Sequence, residues 1–170
     1  ESVEGERKED QIDMVRLLSD VSDGLRTAWP EREIVVTLEC TQQILGSASE
    51  LRSALSNLIV NALKYSDGPV NVRWSETVVG PALLVEDQGE GIEAKHIPRL
   101  TERFYRVDKS RSQATGGTGL GLAIVKHVAV SHEARLFIDS EPGKGSTFRL
   151  VFPVDRVVLK PQTKAIPVGG

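Results

Sequence analysis

One cysteine in 170 residues, Cys40, excludes an internal disulfide and a cysteine zinc site, and fits a reducing compartment. No apolar run approaches the roughly 20 residues needed to span a bilayer, so no membrane segment is expected within this chain. The opening Glu-Ser-Val-Glu-Gly-Glu-Arg-Lys-Glu-Asp is polar throughout and lacks the apolar stretch of a secretion signal. Charge of one sign is lacking too: a net charge of −3, with 26% charged residues, leaves no strong footprint for nucleic acid. The chain has no initiator methionine, and we expect it to be a fragment of something longer. What is present is enough sequence for one domain with a real core.

Residues 1–10 are charged and aperiodic and read as a flexible lead-in or the end of a linker. From Ile12 the apolar positions Val15, Leu17, Leu18, Val21 and Leu25 recur at helical spacing up to Trp29-Pro30. Ile34-Val-Val-Thr-Leu is β-branched and predicts a strand. Ser47-Ala-Ser-Glu50 has capping-box spacing and predicts the start of a second helix, whose core stripe is Leu51, Ala54, Leu55, Leu58, Ile59 and Ala62. Beyond the Asp67-Gly-Pro turn, Val70–Trp74 and Ala82–Glu86 read as strands. Residues 99–118 are irregular and basic, a long loop of the kind that is usually functional or disordered. A third helix is expected from about Gly119 to Ser131, then strands at Leu136–Asp139 and Ser146–Phe152 around Glu141-Pro-Gly-Lys-Gly145. We expect the domain to occupy residues 11–154 and residues 155–170 to form a tail. Helices mixed with hairpin-linked strands predict an α+β, two-layer α/β sandwich with helices over one face of a mixed sheet.

Three short stretches carry the chemistry. On the second helix Asn57, Asn61 and Lys64 fall within roughly 60° of one another, beside the apolar stripe. A carboxamide oxygen is a hard neutral ligand suited to Mg²⁺, which takes its other oxygens from phosphates and water. An asparagine bonded to backbone and a solvated lysine fit the same spacing. Asp87 follows Ala-Leu-Leu-Val-Glu at the end of a buried strand, where a carboxylate can accept from the exocyclic amine of adenine. Gly89 and Gly91 permit a sharp turn and close approach to a flat base, although Asp and Gly also make ordinary turns. Gly117-Thr-Gly-Leu-Gly121 opens the third helix, whose first N–H groups form an anion site. Its glycine spacing is not the dinucleotide fingerprint, and Gly143-Lys-Gly-Ser146 leads into a strand and is not a phosphate-binding Walker loop. Between the second and third stretches, Arg99, Arg103, Arg106, Lys109 and Arg111 make a basic segment suited to a lid over phosphates. Arg106 and Lys109 are the expected phosphate contacts, with Phe104-Tyr105 docking the lid onto the domain. Together these groups predict an ATP site.

In order and content the stretches resemble the catalytic and ATP-binding domain of bacterial sensor histidine kinases, within the superfamily that includes gyrase, Hsp90 and MutL. Asn57-x-x-x-Asn61-Ala-Leu-Lys-Tyr65 is similar to the N box of that family and Asp87-Gln-Gly-Glu-Gly-Ile92 to its first glycine box. Glu102-Arg-Phe-Tyr-Arg-Val-Asp108 resembles the F box, Gly117-Thr-Gly-Leu-Gly-Leu122 the second glycine box, and Gly143-Lys-Gly-Ser146 the last glycine element. The match spans roughly residues 12–153. The wording of residues 97–112 and of Gly-Leu-Ala-Ile-Val-Lys-His127 is most similar to the phosphate-regulon sensor kinases.

The resemblance implies a Bergerat-type ATP-binding fold and transfer of the γ-phosphoryl of Mg·ATP. It implies catalytic roles for Asn57, Lys64 and Arg106, and Asn61 as the metal ligand. Nucleotide contacts would come from Asn57, Asn61, Lys64, Tyr65, Asp87, Gly89, Gly91, Ile92, Phe104, Arg106, Lys109, Gly117, Thr118, Gly119, Leu120, Gly121, Leu122 and Ser146. Hydrolytic relatives carry a water-activating glutamate where this chain has Asn57, and an amide is a poor base. Slow hydrolysis and transfer to another group are therefore expected. The acceptor in such kinases is a histidine on a helical-hairpin dimerisation domain, in a context that His96, His127 and His132 all lack. The implied partners are that phosphoacceptor domain of the same parent protein and a response regulator, with no nucleic acid and no membrane contact by this chain. The fragment is expected to be monomeric, its parent a homodimer anchored in the bacterial inner membrane with this domain in the cytoplasm. Within the superfamily, an ATP-driven conformational module or an anti-sigma-type kinase are the alternatives.

Overall fold

The computed structural model describes residues 9–107 and 120–158. In chain order the elements are β1 (Asp10–Ile12), α1 (Met14–Ala28), β2 (Ile34–Leu38), β3 (Ile44–Gly46), α2 (Ala48–Lys64), β4 (Val70–Glu76) and β5 (Pro81–Asp87). A 3₁₀ helix (Ala94–Arg99), α3 (Gly121–Ser131), β6 (Arg135–Glu141), β7 (Gly145–Val151) and a 3₁₀ turn (Val154–Arg156) follow.

Five strands form one sheet in the order β2-β4-β5-β7-β6. β2 runs parallel to β4, with Ile34 opposite Val70, and the other neighbours are antiparallel. A parallel pair requires a crossover, and α2 lies within it. β4 buries Val70, Val72 and Trp74 while Asn71, Arg73 and Ser75 stay partly exposed, so the sheet packs on one face. Leu17, Leu18 and Val21 of α1, Leu51, Leu55, Leu58 and Ile59 of α2, and Val125 and Val128 of α3 share a single core with Trp74, Phe148 and Phe152. The result is the expected α+β sandwich of helices on a mixed sheet.

Local chemistry sets the element ends. Ser47 caps α2 by accepting the Glu50 N–H at 3.3 Å, as the capping-box spacing predicts. Asp13 caps α1 through the Arg16 N–H at 3.1 Å. Ile12, expected inside that helix, lies instead in β1 opposite Ile44. Residues 155–158, at the start of the segment expected as a tail, lie against the body. Val157 bridges to Ile44, the Val158 N–H donates to Gln43 O at 2.8 Å, and Arg156 pairs with Glu9 at 2.7 Å. No helix among the described residues is long and apolar enough to cross a membrane.

Candidate nucleotide site

The site is assembled where β5 ends and β7 begins. Asp87 closes β5 in register with Ser146, and the two residues are only 5% and 7% exposed. Burial pushes the Asp87 carboxyl above its ordinary range and Glu86 adds to this, while the N–H groups of Gly89 and Ser146 pull the other way. Its Oδ1 accepts the Gly89 N–H at 2.9 Å. The glycines here answer to close backbone approach. A Cβ on Gly89 would overlap the Tyr65 carbonyl oxygen, and one on Gly91, whose φ is +72°, would overlap that of Glu141. Both positions require glycine.

Helix α2 links the two glycine elements. At its C-terminal end the Tyr65 carbonyl meets Gly89; eight residues earlier, Asn57 Oδ1 lies 2.9 Å from where a Cβ on Gly121 would sit. Eight residues of helix rise about 12 Å, a span of the order of a nucleotide. Asn57 also donates its Nδ2 to Ser53 O at 2.8 Å, which orients the amide. Asn61, Lys64 and Tyr65 are half-buried, and the Asn61 carboxamide has no hydrogen-bond partner among the described residues. An unengaged amide oxygen beside the core fits a single protein ligand to Mg²⁺. Among the described residues no group of three or more His, Cys, Asp or Glu could hold a metal ion.

Helix α3 begins at Gly121, two residues later than expected. Leu120 occupies its N-cap and makes no side-chain hydrogen bond, so the first amides have no side-chain cap. Leu120, Gly121 and Leu122 are half-buried here. Lys109, Gly117, Thr118 and Gly119 lie outside the described residues.

One expectation for the lid is corrected. Phe104 does not dock: it is 70% exposed, with φ at +65° turning it outward. Tyr105 does engage, against the 3₁₀ helix that leads into the lid. Its hydroxyl bonds His96 Nδ1, and the Arg99 guanidinium sits 4.4 Å from its ring centroid. Arg106 is half-buried, and Ile92 packs against the core while its N–H donates to Ser140 Oγ at 2.8 Å.

The three histidines are structural or peripheral. His132 is 2% exposed; its Nε2 accepts the Ser47 N–H at 3.0 Å, which assigns its proton to Nδ1, 2.9 Å from Val128 O. His127 is exposed beside Glu50, and His96 holds Tyr105. A cavity of about 240 Å³ runs between Ile97 and Thr101, Lys126 and Val130 of α3, and Leu136 and Ile138 of β6, and shares no residue with the constellation above.

Two contributors were missed in the sequence. Arg32 caps the C-terminal end of α2, donating to Leu63 O at 2.5 Å and to Ser66 Oγ and Gly68 O at 3.1 Å each. Ser140 joins the β6–β7 hairpin to the Gly91-Ile92 turn. Neither belongs to a motif; the partners of Arg32 lie 31 to 36 residues away in the chain, and Ile92 lies 48 from Ser140.

Residues 46–156 match the model of the histidine kinase-, DNA gyrase B-, and HSP90-like ATPase family. The chain is 60% identical over 112 residues to the phosphate regulon sensor protein PhoR of Pseudomonas aeruginosa, covering 65% of this chain and 25% of that protein. It is 44% identical over 156 residues to PhoR of Haemophilus influenzae, covering 91% and 36%. The chain thus spans a quarter to about a third of the length of these relatives. Among solved structures, full-length ShkA in complex with AMPPNP superposes with a TM-score of 0.74 at 27% identity, covering 87% of this chain and 31% of that one.

Proposed function

The chain belongs to the histidine kinase-, DNA gyrase B-, and HSP90-like ATPase family, and on that premise we propose that it binds Mg·ATP and donates the γ-phosphoryl group to a histidine outside this chain. The acceptor would sit on a dimerisation and phosphoacceptor domain of the same parent, a two-component sensor kinase of the phosphate-regulon type that passes the phosphoryl group to a response regulator. The parent would be a homodimer anchored in the bacterial inner membrane, this domain facing the cytoplasm. The likeness to phosphate regulon sensor proteins and to ShkA in complex with AMPPNP supports this reading.

The observation that carries it is Asp87, a nearly buried carboxylate at a strand end, followed by a turn in which Gly89 and Gly91 leave no room for a side chain. In this reading Asp87 accepts from the adenine amine, and Gly89 and Gly91 let the base lie against the backbone. The start of α3 and the lid residues Arg106 and Lys109 hold phosphates, with Gly117, Thr118 and Gly119 adding backbone donors. Phe104 and Tyr65 flank the nucleotide. Asn61 would hold Mg²⁺, which when bound neutralises phosphate charge. Asn57 and Lys64 position the γ-phosphoryl, and Asn57 cannot take a proton from water, which favours transfer over hydrolysis. The catalytic contribution is positioning and charge neutralisation. In the transfer, a ring nitrogen of the acceptor histidine bonds the γ-phosphorus, the bond from the γ-phosphorus to the β–γ bridging oxygen breaks, and ADP leaves with that oxygen.

Asp87→Asn tests this. A hydrogen bond to a charged group is worth about 1.5–3 kcal/mol, so ATP affinity should fall roughly 10- to 150-fold while the fold persists. Unchanged ATP affinity by calorimetry in the folded variant would remove Asp87 from the adenine pocket and with it the reading.

A further inference from the structure

Ser140 lies on β6, opposite Ser146 in register, and its hydroxyl has three close neighbours. The Ile92 N–H approaches at 2.8 Å, the Gly145 carbonyl oxygen at 3.0 Å and Ser146 Oγ at 2.8 Å. A serine hydroxyl has one proton and two lone pairs. The Ile92 N–H takes one lone pair. The Gly145 carbonyl has no proton and can only accept, so it takes the Ser140 proton. The remaining Ser140 lone pair must then receive a proton from Ser146. The reverse assignment, with Ser140 donating to Ser146, leaves two oxygens 3.0 Å apart with no proton between them. One arrangement satisfies all three contacts.

The consequence falls on Ser146. With its proton committed to Ser140, its free capacity is as an acceptor, and it lies beside Asp87, which as a carboxylate is also acceptor-only. The end of β5 and the start of β7 therefore present two neighbouring acceptors and no side-chain donor from either residue. Both are nearly buried, so an unsuitable group facing them would lose hydrogen bonds to water without replacement. The same neighbourhood is held rigid by the hairpin. The Gly143 N–H donates to Glu90 O at 2.6 Å, and Gly145, at φ +97°, has no Cβ to overlap the Asp87 carbonyl.

We propose that Ser140 is a positioning residue that sets base specificity: it fixes Ser146 as a second acceptor beside Asp87, so the pocket accepts a 6-amino purine and rejects a 6-oxo purine. A 6-amino group carries two hydrogens for two acceptors, met directly or through water. A 6-oxo group offers a lone pair to each and is repelled. This inference rests on the ATP-binding reading.

The test is the ratio of ATP to inosine triphosphate affinity, measured by calorimetry on the 170-residue chain. Inosine triphosphate replaces the 6-amino group by oxygen and adds no 2-amino group. Ser140→Ala frees the Ser146 proton to turn toward the ligand. ATP affinity should drop, inosine triphosphate affinity should hold or rise, and the ratio should fall about tenfold. Ser140→Thr keeps the hydroxyl and should keep the ratio. A second variant, Ser146→Ala, removes the acceptor altogether, and adding Ser140→Ala to it should change the ratio no further. That double comparison decides the matter even where Ser140→Ala alone loosens the fold. Equal weakening of both nucleotides in Ser140→Ala, or an additive change in the double variant, would overturn the inference and leave Ser140 a structural residue. Absence of ATP binding by the unaltered chain would instead overturn the underlying function.

Discussion

Asp87 is where burial and function pull against each other. Its carboxyl is held above the ordinary range chiefly by burial, so the folded protein keeps that proton more tightly than the unfolded chain. Its contribution to stability is then fully present below the unfolded value and is lost as pH rises through the folded value. Asp87→Asn abolishes that loss, and thermal melts across the acidic range should show the nucleotide-free variant overtaking the unaltered chain as pH rises. ATP affinity should run the other way, weakening as pH falls and Asp87 protonates, since the carboxylate is the accepting form. A variant that melts earlier at neutral pH would contradict the burial argument. At Asn61 the expectation is separate. Its unengaged carboxamide is the proposed Mg²⁺ ligand, so Asn61→Ala should cut the enhancement of ATP binding by Mg²⁺ about threefold to tenfold. Metal-free binding should be nearly unchanged. Equal Mg²⁺ enhancement in both proteins, by titration with and without chelator, would leave Asn61 a solvated helix residue.

At the scale of elements, α2 does the positioning. Its start is fixed by Ser47, which caps the helix and in turn donates its N–H to the buried His132 of the α3 C-cap. Its end is fixed by Arg32, whose guanidinium gathers Leu63 O, Ser66 Oγ and Gly68 O. Arg32→Ala should cost about 1.5–3 kcal/mol in chemical unfolding, because charged hydrogen bonds to the last carbonyls are lost. It should also weaken ATP binding through the Tyr65–Gly89 contact. Unchanged stability would mean the helix end holds without it. The helices, the long strands and the order of the glycine elements were legible in the sequence because periodicity and motif spacing are local. β1 and β3 were not, since three residues carry no period and their pairing joins Asp10 to Gly46. Arg32 and Ser140 were illegible for a related reason: an arginine between two glutamates and a serine on an edge strand announce nothing until distant partners arrive. Phe104 misled because aromatic residues usually bury, whereas here a left-handed backbone turns the ring outward.

Taken whole, the molecule belongs to an ATPase family and carries three histidines, none of which the proposed function uses as an acceptor. His132 is committed to holding α3 against Ser47, His96 to Tyr105, and His127 stands in solvent beside Glu50. The proposed acceptor is on another domain, and separating the two domains should slow transfer without changing its chemistry. A covalent linker provides an effective concentration of roughly millimolar, which free domains in dilute solution lack. The direct measurement is phosphoryl transfer from γ-labelled Mg·ATP, with the chain alone and then mixed with a separate helical-hairpin domain bearing the acceptor histidine. Alone, the chain should bind nucleotide and acquire almost no acid-labile phosphate. Mixed, it should label the hairpin domain in trans, at a rate that rises with the concentration of either half. Stoichiometric acid-labile phosphate on the isolated chain, or no labelling of the hairpin domain at any concentration, would contradict the proposed donor role.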